Sequence, residues 1–450
     1  MTTRLYAASA FDPAQPVDSH WRATAPTPRT IHEPLGEPVD CDVAVIGSGF
    51  TGLSAAYRLA SKHGADVRVF DAGPIAFGAS SRNGGFCCFG SSKLSHGALV
   101  KRYGTAETYR FERTLVSAID HVRSFLKETG TDADATGNGE LLLAHKPSRV
   151  PELEADARWL EDFIGEEIEV HDRTALERLG AGGPEFVAGL HMPFGFGLHP
   201  LKYATGLSDA GAEAGAALHP HSPVSEWVTE GGQNRLTVNG LDVRARQVIV
   251  ATNGYSREDL PSWIGGRLLP VLSAILVTRP LTDEERQAQG WTTDIMASDT
   301  RNLLHYFRML PDGRFLFGGR GGTSASPSSL KAASDKLTTD FRRMFPAWSA
   351  VPIERRWSGF VCTSYSWTPY IGPIPGRTGG WVSAAYHGNG VAMASWSGAR
   401  LADLVAGTAD QKADLPAPLR EPFRRFPAPF LRRAYLKAVY LTYGAKDALS

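Results

Sequence analysis

The sequence predicts an α/β protein, α+β overall, in which a Rossmann-like domain is interleaved with a mixed-sheet domain. Residues 42–85 follow the order strand, glycine turn, helix, strand and acid, which is typical of a βαβ unit built around a tight turn. A second glycine-rich junction between a strand and a helix, at 387–391, returns only near the other end of the chain. The long stretches between the two depart from Rossmann alternation, which indicates that a second domain is inserted in pieces.

The first unit is built on a GxGxxG turn that follows the apolar strand 43–46. Gly47 permits the turn, Gly49 lets the backbone approach a pyrophosphate, and Gly52 lets the helix pack on the strand. The pyrophosphate would lie at the start of the helix, where unpaired N–H groups favour an anion. Asp71 ends the next strand and would accept hydrogen bonds from ribose hydroxyls. An ordinary glycine turn is the alternative, but strand, helix and acid together favour a dinucleotide site.

Composition bounds the remaining possibilities. The chain has 450 residues, of which 42% are hydrophobic, so it can bury a sizeable core. A formal net charge of zero argues against a nucleic-acid partner. No apolar run reaches the ~18 residues of a membrane span, and the N-terminus lacks a secretory signal pattern. Four cysteines without a CxxC pair predict neither a disulfide framework nor a metal site, and indicate the reducing cytoplasm.

The elements can be predicted in chain order. Residues 1–39 predict an irregular arm held by Tyr6, Phe11 and Trp21, with a disordered tail as the alternative. Apolar spacing predicts helices over 98–129, 152–163, 174–179, 201–217 and 391–405, and a further helix that ends at 345. Alternation and turn residues predict strands over 139–145, 236–251 (two, around Gly240), 268–278, 303–309, 315–319, 357–365 and 381–385. The basic, aromatic stretch 423–443 predicts a helix packed on the body, with a membrane-surface helix as the alternative.

Several of these segments together resemble one known family. The chain is similar to the FAD-dependent amine and amino-acid oxidoreductases of the D-amino-acid oxidase superfamily, which includes glycine and sarcosine oxidases. The likeness is carried in order by GSGFTGLSAAYRL, VFDAG, FGASSRNGG, ATNGY, YFRMLPDGRFLFGGR, YIGPIPG and YHGNGVAMASWSGARLADL. The GAS-x-RNGG segment most resembles γ-glutamylputrescine oxidoreductase-like members. The arm and the tail lie outside the likeness, which runs from about residue 40 to 408.

This resemblance implies FAD as the cofactor and a division of the chain into domains. The expected parts are an N-terminal arm (1–39), a discontinuous FAD-binding domain (40–97, 201–265 and 357–410), a substrate domain (98–200 and 266–356) and a basic helical tail (411–450). Non-covalent FAD is expected, because relatives with a covalent histidine place it where this chain has Ser81 and Arg82. The residues expected to hold FAD are Gly47, Gly49, Phe50, Thr51, Gly52, Asp71, Ala72, Ala79, Ser80, Ser81, Arg82, Asn83, Gly84, Gly85, Val224, Ala251, Thr252, Gly388, Asn389, Gly390 and Val391.

The resemblance also implies oxidation of a C–N bond in a small amine or amino acid, followed by hydrolysis of the imine. Tyr306, Arg308 and His387 are the catalytic candidates, with Arg308 as a clamp for a substrate carboxylate or, alternatively, a surface arginine in an ion pair. His387 is either a substrate contact or a packed loop residue. O2 is the expected electron acceptor, but the strand 315–319 holds no oxygen-activating lysine, so a quinone or another carrier stays open. Besides an oxidase that uses O2 and a dehydrogenase that uses another carrier, a flavin-binding sensor without turnover is a further hypothesis.

Overall fold

The computed structural model describes residues 4–15 and 17–449. The helices are α1 (His20–Thr24), α2 (Phe50–His63), α3 (His96–Tyr103), α4 (Thr105–Thr129), α5 (Val150–Ile164), α6 (Arg173–Arg178), α7 (Pro200–Glu213), α8 (Asp283–Gln289), α9 (Pro327–Met344), α10 (Gly390–Val405), α11 (Gln411–Asp414), α12 (Ala417–Arg420) and α13 (Arg432–Leu449). The strands are β1 (Val39–Ile46), β2 (Val67–Phe70), β3 (Phe86–Cys87), β4 (Glu140–Ala144), β5 (Val170–Asp172), β6 (Ala188–Met192), β7 (Phe196–Gly197), β8 (Ala217–His219), β9 (Val224–Glu230), β10 (Gln233–Val238), β11 (Leu241–Val250), β12 (Leu268–Pro280), β13 (Met296–Asp299), β14 (Tyr306–Met309), β15 (Arg314–Arg320), β16 (Ile353–Ser364), β17 (Tyr370–Pro373) and β18 (Gly380–Ala384).

The first large sheet has the strand order β17-β18-β11-β1-β2-β8, and β9 and β10 form a hairpin that joins it through β11. The central pairs from β18 to β8 are all parallel, so their carboxyl ends meet at one edge. The inner strands read as apolar runs because helices cover the sheet, and β1 ends in four buried residues, Val43–Ile46. The helices α2, α4, α7 and α10 share one hydrophobic cluster on this sheet. Ligands of such sheets bind at the carboxyl ends of the strands.

The second large sheet is mixed, with the order β16-β12-β15-β14-β13-β4-β6-β5. Its pairs are antiparallel except for β13 with β4. One face packs on α9 through an aromatic core that includes Phe307, Phe315, Phe341 and Trp348. The opposite face of its middle strands is left to line a cavity, as described below.

Several predicted elements differ from the structure in their bounds. The helix predicted over 98–129 is two helices, because Gly104 adopts a φ of +83° between α3 and α4. The strand predicted over 303–309 begins only at Tyr306. Strand β16 belongs to the second sheet, whereas the predicted boundary at 357 assigned most of it to the FAD domain.

The two terminal segments both pack on the body. In the arm, Tyr6, Phe11 and Trp21 are buried, as the sequence predicted for an arm held by its aromatic side chains. In the tail, the helix α13 begins at Arg432, and residues 423–428 precede it without helical structure. Leu436 of this helix packs against β12, while Phe430 and Leu441 are exposed. Among the described residues, no helix combines the length and apolar character needed to cross a membrane.

Candidate active site

One cavity of about 510 Å³ is lined by residues from both large sheets. At one end lie the glycine turn after β1 and the start of β9, and at the other end lie strands of the second sheet. This volume falls in the range of small-molecule and cofactor sites.

The glycine turn is held by the acid that follows β2. The Asp71 carboxylate accepts hydrogen bonds from Ser48 N and Oγ, each at 2.7 Å, and from Gly73 N at 2.9 Å. Burial raises the pKa of Asp71, and these donors oppose that shift. A Cβ on Gly52 would lie 1.9 Å from the Gly47 carbonyl oxygen, so helix α2 can approach the turn only with glycine there. Asp71 therefore shapes the turn as well as offering acceptor positions to a ribose.

Two helices begin at the cavity. The N-cap residues are Gly49 for α2 and Asn389 for α10, and neither has a side chain that accepts a hydrogen bond from its helix. Neither first turn contains an acid. Gly388 and Gly390 have no atom within 4 Å of an added Cβ, which shows open space beside the start of α10. Free N–H groups and helix dipoles at two adjacent N-termini favour anionic groups.

These two helix N-termini are tied together by side chains. Thr51 Oγ1 and the Tyr386 hydroxyl lie 2.7 Å apart, and Tyr386 in turn donates to Ser383 Oγ at 2.9 Å. The Asn389 amide donates to the carbonyl oxygens of Cys88 and Gly90. The second junction of the sequence therefore forms one wall with the first, although some 340 residues of chain separate Thr51 from the start of α10.

The segment 79–85 forms a further wall. Ser80 Oγ accepts from Phe50 N at 3.0 Å, and the Asn83 amide donates to the carbonyls of residues 79 and 80 at 3.1 and 3.2 Å. The Asn83 side-chain oxygen accepts from Gly85 N at 2.8 Å, so this amide is used to fold its own loop. A cavity of this size with glycine walls, two helix N-termini and the Asp71 carboxylate beside the glycine turn fits FAD.

A polar row crosses the cavity face of the second sheet. Ser273 pairs with Arg320 across β12 and β15, and its hydroxyl lies 2.9 Å from that of Tyr306 on β14. Tyr306 pairs with Ser298 of β13, whose hydroxyl donates to Glu140 of β4 at 3.0 Å. Polar side chains from five adjacent strands therefore face one end of the cavity.

The ring of Tyr306 fits between two glycines. An added Cβ would lie 2.2 Å from this ring at Gly318 and 2.8 Å from it at Gly84. Burial raises the pKa of the Tyr306 phenol, so the hydroxyl is a neutral donor and acceptor. Tyr306 thereby brings the second sheet into contact with the segment 79–85.

Three titratable groups, Lys93, Glu140 and Arg320, line this end of the cavity. Lys93 and Arg320 line the cavity, and within the described part of the chain neither makes an ion pair. The Lys93 ammonium is open to the cavity but surrounded by protein, and this loss of bulk water lowers its pKa to about 8. Burial raises the pKa of Glu140 to about 7, against the opposing effects of Ser298 and Lys93. Two cations and a carboxyl that titrates near neutrality therefore face the same space.

His387 lines the cavity in an uncommon backbone conformation, with a φ of +54°. Its Nε2 lies 3.4 Å from Ser364 Oγ, and its buried Nδ1 has no partner in the described structure. Burial lowers the pKa of His387 to about 3, so the imidazole is neutral. A neutral ring with one free nitrogen can donate to or accept from a bound molecule.

Most residues predicted to contact cofactor or substrate line this one cavity. Those that do are Gly47, Gly49, Phe50, Thr51, Asp71, Ala72, Ala79, Ser80, Arg82, Asn83, Gly84, Val224, Ala251, Thr252, Tyr306, His387, Gly388, Asn389, Gly390 and Val391. Four predicted residues lie behind the wall instead: Gly52, Ser81, Gly85 and Arg308. Ser81 is fully buried and its hydroxyl has no partner in the described structure.

Arg308 requires the main correction. Its side chain is 1% exposed, and it donates through Nε to the Gly84 carbonyl at 3.1 Å and through Nη2 to the Leu198 carbonyl at 2.6 Å. The segment Gly84-Gly85 lies between this guanidinium and the cavity, so Arg308 cannot clamp a substrate carboxylate in this geometry. It is a buried structural donor and not an exposed arginine either.

Sequence reasoning missed Lys93, Glu140, Ser298 and Arg320. Glu140 and Arg320 stand at the two ends of strands that were predicted, and Lys93 follows the RNGG segment closely. Polar residues at strand ends or close to a glycine-rich segment were the signal that could have identified them. The sequence does not give the order of the strands in the sheet, and that order places these side chains together.

The sequence matches a family model and several known proteins. A family model described as FAD dependent oxidoreductase matches residues 42–404. The γ-glutamylputrescine oxidoreductase of Escherichia coli (strain K12) is 28% identical over 377 residues, covering 84% of this chain and 86% of that protein. The glycine oxidase of Geobacillus kaustophilus (strain HTA426) is 24% identical over 379 residues, covering 81% of this chain and 92% of that protein.

Solved structures share the fold. The crystal structure of glycine oxidase from Geobacillus kaustophilus superposes with a TM-score of 0.67 at 20% identity, covering 84% of this chain and 98% of that one. L-proline dehydrogenase from P. horikoshii superposes with a TM-score of 0.67 at 19% identity, covering 84% and 97%. The arm that precedes residue 42 and the tail lie outside the family match.

Proposed function

Since the chain belongs to the family of FAD-dependent oxidoreductases, we propose that it oxidises a carbon–nitrogen bond of an amine or amino acid that also carries an anionic group. The family and the FAD cofactor predicted from the sequence are thereby confirmed. The substrate class rests on the names of similar proteins, a γ-glutamylputrescine oxidoreductase and a glycine oxidase, and on the polar end of the cavity. The observation that carries the proposal is that two cations, Lys93 and Arg320, line that space and form no salt bridge with any described residue.

The charges in the cavity favour a particular orientation of the substrate. Arg320 offers a planar fork of donors for a carboxylate, and Lys93 adds a second positive charge. Their anion partner would bring the amine towards Glu140, Tyr306 and His387, which also line the cavity. An anionic group bound between Lys93 and Arg320 would supply the partner that neither cation has among the described ion pairs.

Oxidation requires a neutral amine, because its nitrogen lone pair must form the new C=N bond. Glu140 has a pKa near 7 and can take the proton from the substrate ammonium at its carboxylate. The C–H hydrogen then leaves as a hydride, for which bound FAD supplies the two-electron acceptor. After hydride transfer, water adds to the resulting imine. This hydrolysis yields a carbonyl compound and ammonia or an amine. The protein positions the substrate and excludes water during hydride transfer.

We take O2 as the electron acceptor, with H2O2 as its product. Lys93 and Arg320 support this choice, because positive charge close to the reaction stabilises the negative charge that develops on oxygen during reduction. The deciding experiment is anaerobic reduction of the bound flavin by a panel of amines, followed by admission of air and measurement of peroxide. Flavin that no amine bleaches would contradict the proposed reaction and favour a sensor without turnover.

A dehydrogenase that passes electrons to a membrane quinone is the second candidate, and one observation favours it. Phe430 and Leu441 of the tail are 81% and 70% exposed, and Arg424 of the same tail is 63% exposed at its side chain. Apolar and basic side chains together suit an anionic lipid surface. This candidate predicts that air fails to restore reduced flavin, that a quinone analogue restores it, and that Phe430→Asp with Leu441→Asp abolishes binding to anionic liposomes. Rapid reoxidation by air with peroxide release would exclude it.

A further inference from the structure

Three consecutive carbonyl oxygens of one cavity wall are each held from behind. Residues 82, 83 and 84 line the cavity, and their carbonyls accept hydrogen bonds from side chains that do not. Trp357 Nε1 donates to the first at 2.9 Å, Trp21 Nε1 to the second at 2.7 Å, and Arg308 Nε to the third at 3.1 Å. A buried carbonyl without a partner is costly, so these donors fix the path of the wall.

The middle donor comes from the N-terminal arm, which lies outside the family match. Trp21 is 2% exposed and packs edge-on against His199 and Trp357, with ring centroids 4.8 and 6.1 Å apart. The guanidinium of Arg308 lies 5.8 Å from its ring. The short helix α1 is held in turn by Thr24 Oγ1, 3.0 Å from His199 Nε2. Trp21 therefore joins all three donors into one packed group.

The beginning of the arm reaches the same cavity at another point. Arg4 and Phe11 line it, and Arg4 donates to the Tyr255 carbonyl at 3.0 Å while lying 4.4 Å from the Phe11 ring. Phe11 stacks on Phe360 at 5.2 Å. Tyr255 belongs to the loop after β11, which contains Thr252. The Thr252 side chain lies 3.3 Å from a Cβ built on Gly47, in the turn where the sequence predicts the pyrophosphate. Arg4 thus brings a positive charge to the end of the cavity where phosphate is expected.

We infer that the N-terminal arm forms part of the cofactor site and contributes to the binding of FAD. Trp21 positions the segment 82–84, which lines the cavity and is expected to hold FAD, and Arg4 contributes positive charge beside the loop after β11. The arm therefore strengthens retention of FAD, independently of which amine the enzyme oxidises. Trp21 acts through the wall and is a positioning residue, whereas Arg4 lines the cavity itself.

The test of Trp21 is Trp21→Phe, which keeps an aromatic ring and removes the indole N–H. The matched control is Trp348→Phe, because Trp348 is also buried and donates to a backbone carbonyl, that of Glu285 at 2.8 Å, in the second-sheet core. The dissociation constant of FAD is measured on apoprotein by quenching of flavin fluorescence, and the melting temperature of apoprotein is measured alongside. We expect Trp21→Phe to weaken FAD binding by roughly three- to ten-fold, the effect of one hydrogen bond, and Trp348→Phe to leave it within about two-fold.

Both variants lose an equivalent bond and similar volume, so both should lower the apoprotein melting temperature. A shift in FAD affinity and in the visible flavin spectrum confined to Trp21→Phe supports the positioning role. Equal effects of the two variants on FAD affinity, or none from Trp21→Phe, would overturn it. The proposed function is tested separately, by anaerobic reduction of the flavin with amines, whichever result is obtained for FAD affinity.

The test of Arg4 is Arg4→Met, with Arg29→Met as the control from the same arm. Arg29 pairs with Asp209 at 3.3 Å, is 62% exposed at its side chain and does not line the cavity. Arg4→Met should raise the dissociation constant of FAD several-fold at low salt, with a smaller difference at high salt because screening weakens the charge. An unchanged affinity, or the same change in Arg29→Met, would remove Arg4 from the cofactor site.

Discussion

Tyr306 and Arg308 show how two residues on one strand acquire different roles. Both lie on the same face of β14, because side chains two positions apart point the same way. Tyr306 reaches the cavity between two glycines, while the backbone of Gly84 and Gly85 covers Arg308. Arg320, at the end of the neighbouring strand, reaches the cavity instead. The cation that we expect to bind the substrate anion is therefore Arg320.

Substituting Arg320 by Met should raise KM for an anionic amine by roughly ten- to a hundred-fold, as expected for loss of a charge-assisted contact. The same enzyme should change little towards an amine without an anionic group. The measurement is steady-state kinetics on such a pair of substrates. Arg314→Met is the control, because Arg314 begins the same strand but pairs with Glu354 at 2.9 Å outside the cavity. An unchanged KM for the anionic amine would contradict this role.

Glu140 makes the stability of the protein depend on pH in a defined direction. Its folded pKa, about 7, exceeds the ordinary value of 4.5, so the folded state binds the proton more tightly between these values. Stability from this group is complete below about pH 4.5 and is lost as pH rises towards 7.

Glu140→Gln removes this dependence, since the amide does not titrate. Relative to the wild type, the variant should gain up to roughly 3 kcal/mol of unfolding free energy between pH 4 and pH 8. Denaturant unfolding of both proteins at several pH values gives the difference between their unfolding free energies. Contributions from the other titrating groups are common to both proteins and cancel in that difference. A difference between the two proteins that stays constant across that range would contradict the shifted pKa.

At the scale of elements, the helices α2 and α10 determine the geometry of the cofactor end. A Cβ on Gly398 of α10 would lie 2.2 Å from the Thr51 carbonyl oxygen of α2, so the helices touch through backbone. This close approach keeps their two N-termini side by side at the cavity. The link between Thr51 and Tyr386 is made at the same place.

Gly398→Ala should therefore separate the helices and lower the unfolding free energy by about 1–3 kcal/mol, as overpacking does. It should also weaken FAD binding, because the two N-termini move apart. Gly211→Ala in α7 is the matched control, since the nearest atom to its Cβ would be the Tyr57 backbone nitrogen at 3.9 Å. That control should be neutral or stabilising by up to roughly 1 kcal/mol. Thermal unfolding of apoprotein and FAD titration test both, and equal behaviour of the variants would refute the packing argument.

At the scale of the whole molecule, the chain ends fasten onto the body near the second sheet. Arg432 at the start of α13 is 4% exposed, donates to the Leu268 carbonyl at 2.5 Å and pairs with Glu258 at 2.8 Å. At the other terminus, the Tyr6 hydroxyl donates to the Pro270 carbonyl at 2.8 Å. Arm and tail therefore meet the same strand, β12, from the two ends of the sequence.

Arg432→Met should lower the unfolding free energy by about 2–4 kcal/mol, because the Leu268 carbonyl loses this donor and Glu258 loses its cation. Arg424→Met serves as the control, since Arg424 is 63% exposed at its side chain and its ion pair with Glu421 lies near the surface. Chemical denaturation with both variants measures the contrast. A loss below about 0.5 kcal/mol in Arg432→Met would show that the tail is not fastened there.

Much of the cofactor end could be predicted from the sequence, because its signals are local. The spacing of Gly47, Gly49 and Gly52 before a helix, and of Asp71 after the next strand, constrains backbone geometry within one βαβ unit. The segment 387–391 was recognised in the same way. All of these except Gly52, which packs behind the turn, line the cavity.

The sequence by itself thus determined the family, the FAD cofactor and most of the residues that line the glycine-rich end of the cavity. Only the tertiary structure decided which side chains of the second sheet line the cavity and which segments cover the others. Alternation along β14 indicates a face but not what covers it, so Arg308 could not be told from a residue open to the cavity. Glu140, Ser298 and Arg320 meet because their strands lie side by side, and Trp21 meets residue 83 because the arm folds back. Such contacts join residues far apart in sequence, and no local spacing encodes them.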